Sequence, residues 1–151
     1  MFVRWTCNRA GMDTISKGRA AEAAVLAALM HAGLPVLVPF AGAAPYDLVV
    51  DCHGHLLRIQ VKTGRVRGDV IVCNTCSTDH GRGRQTYRGL ADVLAVSVQS
   101  LGRVFVLPVG ACPTRAMSLR LTPPRNNQRL KVRLAEDFTL ERWLATLVKA
   151  A

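Results

Sequence analysis

Asp47 and Lys62 lie on two short apolar runs, Tyr46–Asp51 and Leu56–Thr63, separated by the tight-turn pair His53-Gly54. A two-residue hairpin loop at that pair sets Asp47 opposite Gln60 and leaves Lys62 further along the same face. A carboxylate, an amide and an ammonium then converge on a sheet otherwise built from Leu48, Val49, Val50, Leu57, Ile59 and Val61. Phosphodiester hydrolysis uses such a set: hard oxygens to hold a divalent cation, a group that helps deprotonate water, and positive charge for the phosphate. Asp47 is the candidate central metal ligand, Gln60 offers its side-chain carbonyl and Val61 its main-chain carbonyl. The cation suited to these oxygens is Mg²⁺, or Mn²⁺ in its place. Lys62 either helps activate the attacking water or holds the phosphate by charge. The competing reading is a solvated Asp47–Lys62 ion pair, a common arrangement that contributes little energy.

The elements that must carry these residues follow from periodicity. From Lys17 to Ala32, small and apolar residues recur at Gly18, Ala21, Val25, Ala28, Leu29 and Ala32, the stripe of an amphipathic helix, with Ser16 as candidate cap and Gly33 as terminator. Glu22 falls inside that stripe. A buried carboxylate there needs a partner or a metal, whereas a slightly rotated stripe puts it at the wet edge. Leu34–Phe40 reads as an edge strand with Pro35 and Pro39 near its ends. Val70–Val72 reads as a third antiparallel partner of the hairpin. Asn74–Gly89, polar and rich in glycine, reads as a loop or short helix on the surface. Val93–Val98 and Val104–Leu107 read as further strands, and Thr139–Val148 as a closing helix capped by Thr139. The fold class is therefore α/β: helix, then strands of one mixed sheet, then a C-terminal helix. Residues 1–13 are expected to be a flexible arm and 14–151 a single domain.

Lys and Arg number 20 against 10 Asp and Glu, a formal charge of +10. Such an excess favours a polyanionic partner, and nucleic acid fits better than a membrane, because no apolar run approaches the roughly 20 residues that span a bilayer. The odd count of five cysteines and the absence of a signal-like apolar start point to an intracellular protein with reduced thiols. Cys73, Cys76 and His80 have the spacing of half a zinc site but lack a second ligand pair, and buried cysteines are the preferred reading.

The order Glu22, then Pro45-Tyr-Asp47, then Gln60-Val-Lys62 resembles the PD-(D/E)XK nuclease superfamily with its restriction-endonuclease-like fold. Lys17-Gly18, Val38-Pro-Phe40, Tyr46-Asp47-Leu48-Val49 and Arg58-Ile-Gln-Val-Lys-Thr-Gly64 resemble its group I intron-associated homing endonucleases. The similarity continues through Tyr87-Arg-Gly89, Asp92, Val104–Pro108 and Leu119–Phe138, so that it covers most of residues 14–140. The resemblance implies that Glu22, Asp47, Gln60 and Lys62 are catalytic, with Glu22, Asp47, Gln60 and the Val61 carbonyl toward the metal. Gln60 stands where the superfamily usually has Glu or Asp, which lowers the site's charge and its expected metal affinity.

Lys17, Arg19, Arg65, Arg67, Arg82, Arg84, Tyr87 and Arg88 flank the site in sequence and are expected to contact DNA, with Arg120, Arg125, Arg129 and Lys131 as a second basic group. The expected function is Mg²⁺-dependent cleavage of double-stranded DNA by a homodimer or homotetramer, since cutting both strands takes two sites. The alternatives are a Holliday-junction or restriction-type nuclease, and a catalytically degenerate DNA-binding module of the same fold.

Overall fold

The first regular element is helix α1, Thr14–His31, in a computed structural model that describes residues 12–40, 44–79, 83–124 and 132–150. Its N-cap is Asp13, whose carboxylate accepts from the Ser16 N–H at 2.6 Å. Asp13 thus takes the role expected of Ser16. The two cap formers stand three residues apart, and the anionic one is favoured at the positive end of the helix. The bonds to the Ser16 amide and hydroxyl hold the Asp13 carboxyl below its usual range. Ala21, Val25 and Leu29 form the buried stripe, and Gly33, with φ 79°, ends the helix in the left-handed region.

Strands β1 (Val36–Leu37), β2 (Leu48–Cys52) and β3 (His55–Thr63) follow. The expected strand over Leu34–Phe40 shrinks to two residues, as Pro35 and Pro39 restrict pairing on either side. The β2–β3 hairpin has the register read from the sequence: Leu48 faces Ile59, Val50 faces Leu57 and Cys52 faces His55. His53 and Gly54 take φ of 54° and 88°, and the Asp51 carboxylate accepts from the Gly54 N–H at 2.8 Å, which closes the turn.

Beyond β3 the path departs from expectation. β4 (Arg65–Arg67) and β5 (Val70–Asn74) belong to a separate three-stranded sheet completed by β10 (Ala116–Arg120). The neighbour of β3 in the main sheet is instead β8 (Val93–Val98), which runs parallel to it and pairs antiparallel with β9 (Arg103–Pro108). The main sheet therefore has the order β1-β2-β3-β8-β9 and is mixed. Asn74–Gly89, expected as a loop or helix, contains a two-stranded ribbon of β6 (Cys76–Asp79) and β7 (Gly83–Thr86).

Both helices share one face of the main sheet. Ala21, Val25 and Leu29 pack with Leu48, Val50, Ile59, Val61 and Val106, joined by Leu140, Trp143 and Leu147 of α2 (Leu140–Ala150). The alternate residues Leu94, Val96, Val98, Phe105 and Leu107 face the smaller sheet through Ile71, Cys73, Met117 and Leu119. One sheet face is thus covered by helices and the other by strands. Thr139 does cap α2: its carbonyl and hydroxyl accept from Trp143 and Arg142.

Gly64 marks the crossing between the sheets. A Cβ there would stand 2.7 Å from Val96 Cγ1, 2.9 Å from Val98 Cγ2 and 3.0 Å from Ile71 Cγ2, so no side chain fits. Among the described residues no helix is long and apolar enough to cross a membrane.

Candidate active site

Asp47 stands immediately before β2, its N–H donating to the Ile59 carbonyl at 2.9 Å, so the ladder that sets the hairpin register also sets this residue. Its Oδ2 accepts from the Gln60 Nε2 at 2.5 Å and from the Val61 N–H at 2.7 Å. The same Gln60 nitrogen lies 3.3 Å from the Val61 carbonyl. Three of the four candidates toward a metal therefore meet at one point. As oriented, the Gln60 amide nitrogen donates toward the Asp47 carboxylate and the Val61 carbonyl, oxygens of the kind that would hold a hard cation. Turning that amide end for end substitutes Oε1 and completes a cluster of hard oxygen donors.

Glu22 approaches from α1, half-buried beside Ala21 and Val25. It lies at the margin of the stripe and not at its centre. Burial raises its pKa and the Asp47 charge raises it further, against a smaller opposing effect of Arg19. Asp47 is also shifted up by burial, with the Val61 N–H, the Lys62 charge and the Gln60 amide working in the other direction. A Glu22 carboxyl pushed up by burial and by a neighbouring carboxylate is one whose charged form a nearby divalent cation would favour. The donor chemistry thus fits a hard cation held by Asp47, the Gln60 and Val61 carbonyls and, in an outer position, Glu22.

Lys62 shares the sheet face of Gln60 but makes no ion pair with Asp47. Its Nζ donates to the Tyr87 hydroxyl at 2.6 Å and stands 4.7 Å from the centre of the ring. The simple Asp47–Lys62 salt bridge considered from the sequence is therefore absent. Tyr87 was expected on the DNA; it is instead 7 % exposed, inside the core between the two sheets. A lone aromatic among arginines gave no sign of that burial.

Of the remaining candidates for DNA contact, Lys17, Arg19, Arg65, Arg67, Arg84 and Arg88 are exposed. Lys17 and Arg65 line a groove of about 640 Å³ walled by Ala20, Ala24 and Ala28, which does not include Asp47 or Lys62. Arg82 lies outside the described residues, as do His80, Arg125, Arg129 and Lys131. Arg120 is bound to Asp69 at 2.9 Å, so part of its charge is already matched. Cys73 is buried and its thiol is pushed up to about 12, which opposes the thiolate that zinc requires.

A residue missed in the sequence is Arg58, on β3. Its guanidinium forks onto both Asp92 carboxylate oxygens at 2.9 and 3.0 Å and reaches the Gly89 carbonyl at 3.0 Å. The Arg58 N–H adds a bond to Asp92 at 2.8 Å, and these contacts hold the Asp92 carboxyl below its ordinary range. The clamp fixes the Tyr87–Gly89 turn against the strand that bears Lys62.

Residues 12–141 match the family model of the PD-(D/E)XK endonucleases. The fold is similar to that of a bacterial homing endonuclease, I-Ssp6803I, with a TM-score of 0.72 and 26% sequence identity over 92% of this chain and 96% of that one. No curated protein matches the chain. A match that runs from the residue before the helix cap into the closing helix takes in the helical glutamate and both strands of the hairpin, and by it the chain belongs to the PD-(D/E)XK endonuclease family.

Proposed function

We propose that this endonuclease cleaves phosphodiester bonds of double-stranded DNA with Mg²⁺, or Mn²⁺, as cofactor, and that it is a site-specific enzyme of the homing type associated with a group I intron. The reading rests on the convergence of Asp47, Gln60 and the Val61 backbone on one point, with Lys62 two residues along the same strand as Gln60 and Glu22 electrostatically coupled from α1. Family membership supports a divalent cation, and the likeness to a homing endonuclease supports the finer class.

In this proposal Asp47, the Gln60 side-chain carbonyl and the Val61 carbonyl hold the cation, and Glu22 orients the polar groups around it. When bound, the cation supplies Lewis-acid polarisation of the phosphate and a lowered barrier to deprotonating water. Lys62 directs its ammonium at the phosphate charge. The exposed Lys17, Arg19, Arg65, Arg67, Arg84 and Arg88 supply phosphate contacts along the duplex, and Arg82 is assigned with them by its sequence position. Double-strand cutting calls for a homodimer or homotetramer, and the DNA substrate calls for an intracellular site of action.

The test is cleavage of linear duplex, four-way junction and single-stranded DNA, with metal withheld and restored. Asp47→Ala and Lys62→Ala are expected to abolish cleavage while retaining DNA binding. Cleavage unaffected by either substitution refutes the site, and selective nicking of junctions replaces the homing assignment with junction resolution.

A further inference from the structure

Tyr87 is a core residue in an unusual position, since its ring packs in the cluster of Cys73, Leu94 and Val96 while its hydroxyl meets the one ammonium of the candidate site. A lysine beside a carboxylate and free to choose would fold onto that carboxylate. Here the Coulombic attraction between Lys62 and Asp47 exists, yet the Nζ is bound to a neutral oxygen and makes no ion pair with Asp47. Each hydrogen of an ammonium serves one acceptor, so the bond to Tyr87 leaves two for a phosphate.

We propose that Tyr87 is a positioning residue that holds the Lys62 ammonium off Asp47 and thereby keeps the carboxylate open to a divalent cation. The proposal rests on the nuclease reading of Asp47 and Lys62. The anchor itself is well fixed. Leu90 and Ala91 donate their N–H groups to the Tyr87 carbonyl at 3.0 and 2.9 Å, and Arg58 ties the adjoining Gly89 and Asp92 back to β3. Lys62 is therefore gripped from a turn that is itself fastened to Lys62's own strand.

Without the hydroxyl, Lys62 is expected to turn toward Asp47 and compete with the cation. Tyr87→Phe removes that oxygen alone and keeps the ring in the core. Mn²⁺ titrated calorimetrically into DNA-free protein should bind roughly twofold to fivefold more weakly to Tyr87→Phe, the scale of one partly exposed ion pair gained. In a Lys62→Met background the same substitution should change nothing. The sequence has only four lysines, Lys17, Lys62, Lys131 and Lys149, so the ¹⁵Nζ resonance of Lys62 is readily assigned in lysine-labelled protein. It should change on Tyr87→Phe in the metal-free state, and single-turnover cleavage at saturating enzyme should slow with unchanged DNA affinity.

Equal Mn²⁺ affinity in wild type and Tyr87→Phe, or an equal loss with and without Lys62, overturns the proposal. So does a defect confined to DNA affinity, which would return Tyr87 to the DNA surface. If Asp47→Asn abolishes Mn²⁺ binding and cleavage while Tyr87→Phe behaves as wild type, this proposal alone fails. If Asp47→Asn leaves both intact, the nuclease site fails and takes the proposal with it.

Discussion

Replacing Gln60 with Glu probes the electrostatics of the site directly. The Gln60 amide donates to Asp47 Oδ2 over 2.5 Å, from a side chain that is 9% exposed. A carboxylate oxygen in that place would stand about 3 Å from the Asp47 carboxylate, and two unit charges at that separation repel by roughly 5 kcal/mol at an effective dielectric of about 20. Proton uptake limits the penalty. Keeping a glutamate of ordinary pKa near 4.3 protonated at pH 7 costs about 3.7 kcal/mol, the smaller figure, so the metal-free pair holds one proton. The shared proton restores part of the lost hydrogen bond, which leaves a deficit of about 3 kcal/mol. At this chain length that lowers Tm by roughly 6–12 °C. The deficit should shrink as pH falls toward 5, where the proton is easily supplied, and should be offset by a divalent cation. Thermal unfolding at pH 5 and 7.5, in chelator or in Mn²⁺, measures each part, and calorimetry should show Mn²⁺ bound at least about tenfold more tightly. Cleavage should be kept or raised. A Gln60→Glu protein that unfolds like wild type in chelator at pH 7.5, and binds Mn²⁺ no more strongly, refutes the reasoning.

Wild-type stability should also depend on pH in a metal-sensitive way. Glu22 and Asp47 have folded pKa values raised above 4.5 and 3.8, so the folded state binds more protons and these groups make stability fall as pH rises from that range. Saturating Mn²⁺ should flatten the dependence, which denaturant titrations at several pH values can check. Gly64→Ala forces a methyl within 3.0 Å of three core side chains and should cost about 1–3 kcal/mol, read as a lower denaturant midpoint at unchanged slope. If about six to eight of the basic residues neutralise phosphates, duplex affinity should fall by about three orders of magnitude or more from low to moderate salt, which fluorescence anisotropy measures. A shallow salt slope would show that the basic surface serves another purpose.

The residues at the centre of the site were legible because their positions depend on local rules. Two apolar runs around a pair of residues that tolerate positive φ determine a register, and the register brings Asp47 to Gln60 without further information. The parallel neighbour of β3 was not legible, because that pairing is made across a long stretch of chain and leaves no mark on local periodicity. The ribbon of β6 and β7 escaped for a different reason: Gly83, Arg84 and Gln85 are all exposed, so no alternation between buried and solvated residues betrays a strand. Tyr87 and Arg58 were misjudged or missed because polar residues read as surface until their partners are known.

The β2–β3 hairpin and the β3–β8 pairing give the two halves of this site different histories. Asp47 and Gln60 meet through a two-residue loop, a closure completed in microseconds. Lys62 and Tyr87 meet only once an excursion of 25 residues has returned and β8 has docked alongside β3, a non-local event that comes later and more slowly. The nascent chain would thus own its carboxylate and amide before it owns a restrained lysine, and full competence would arrive with the last large piece of the sheet.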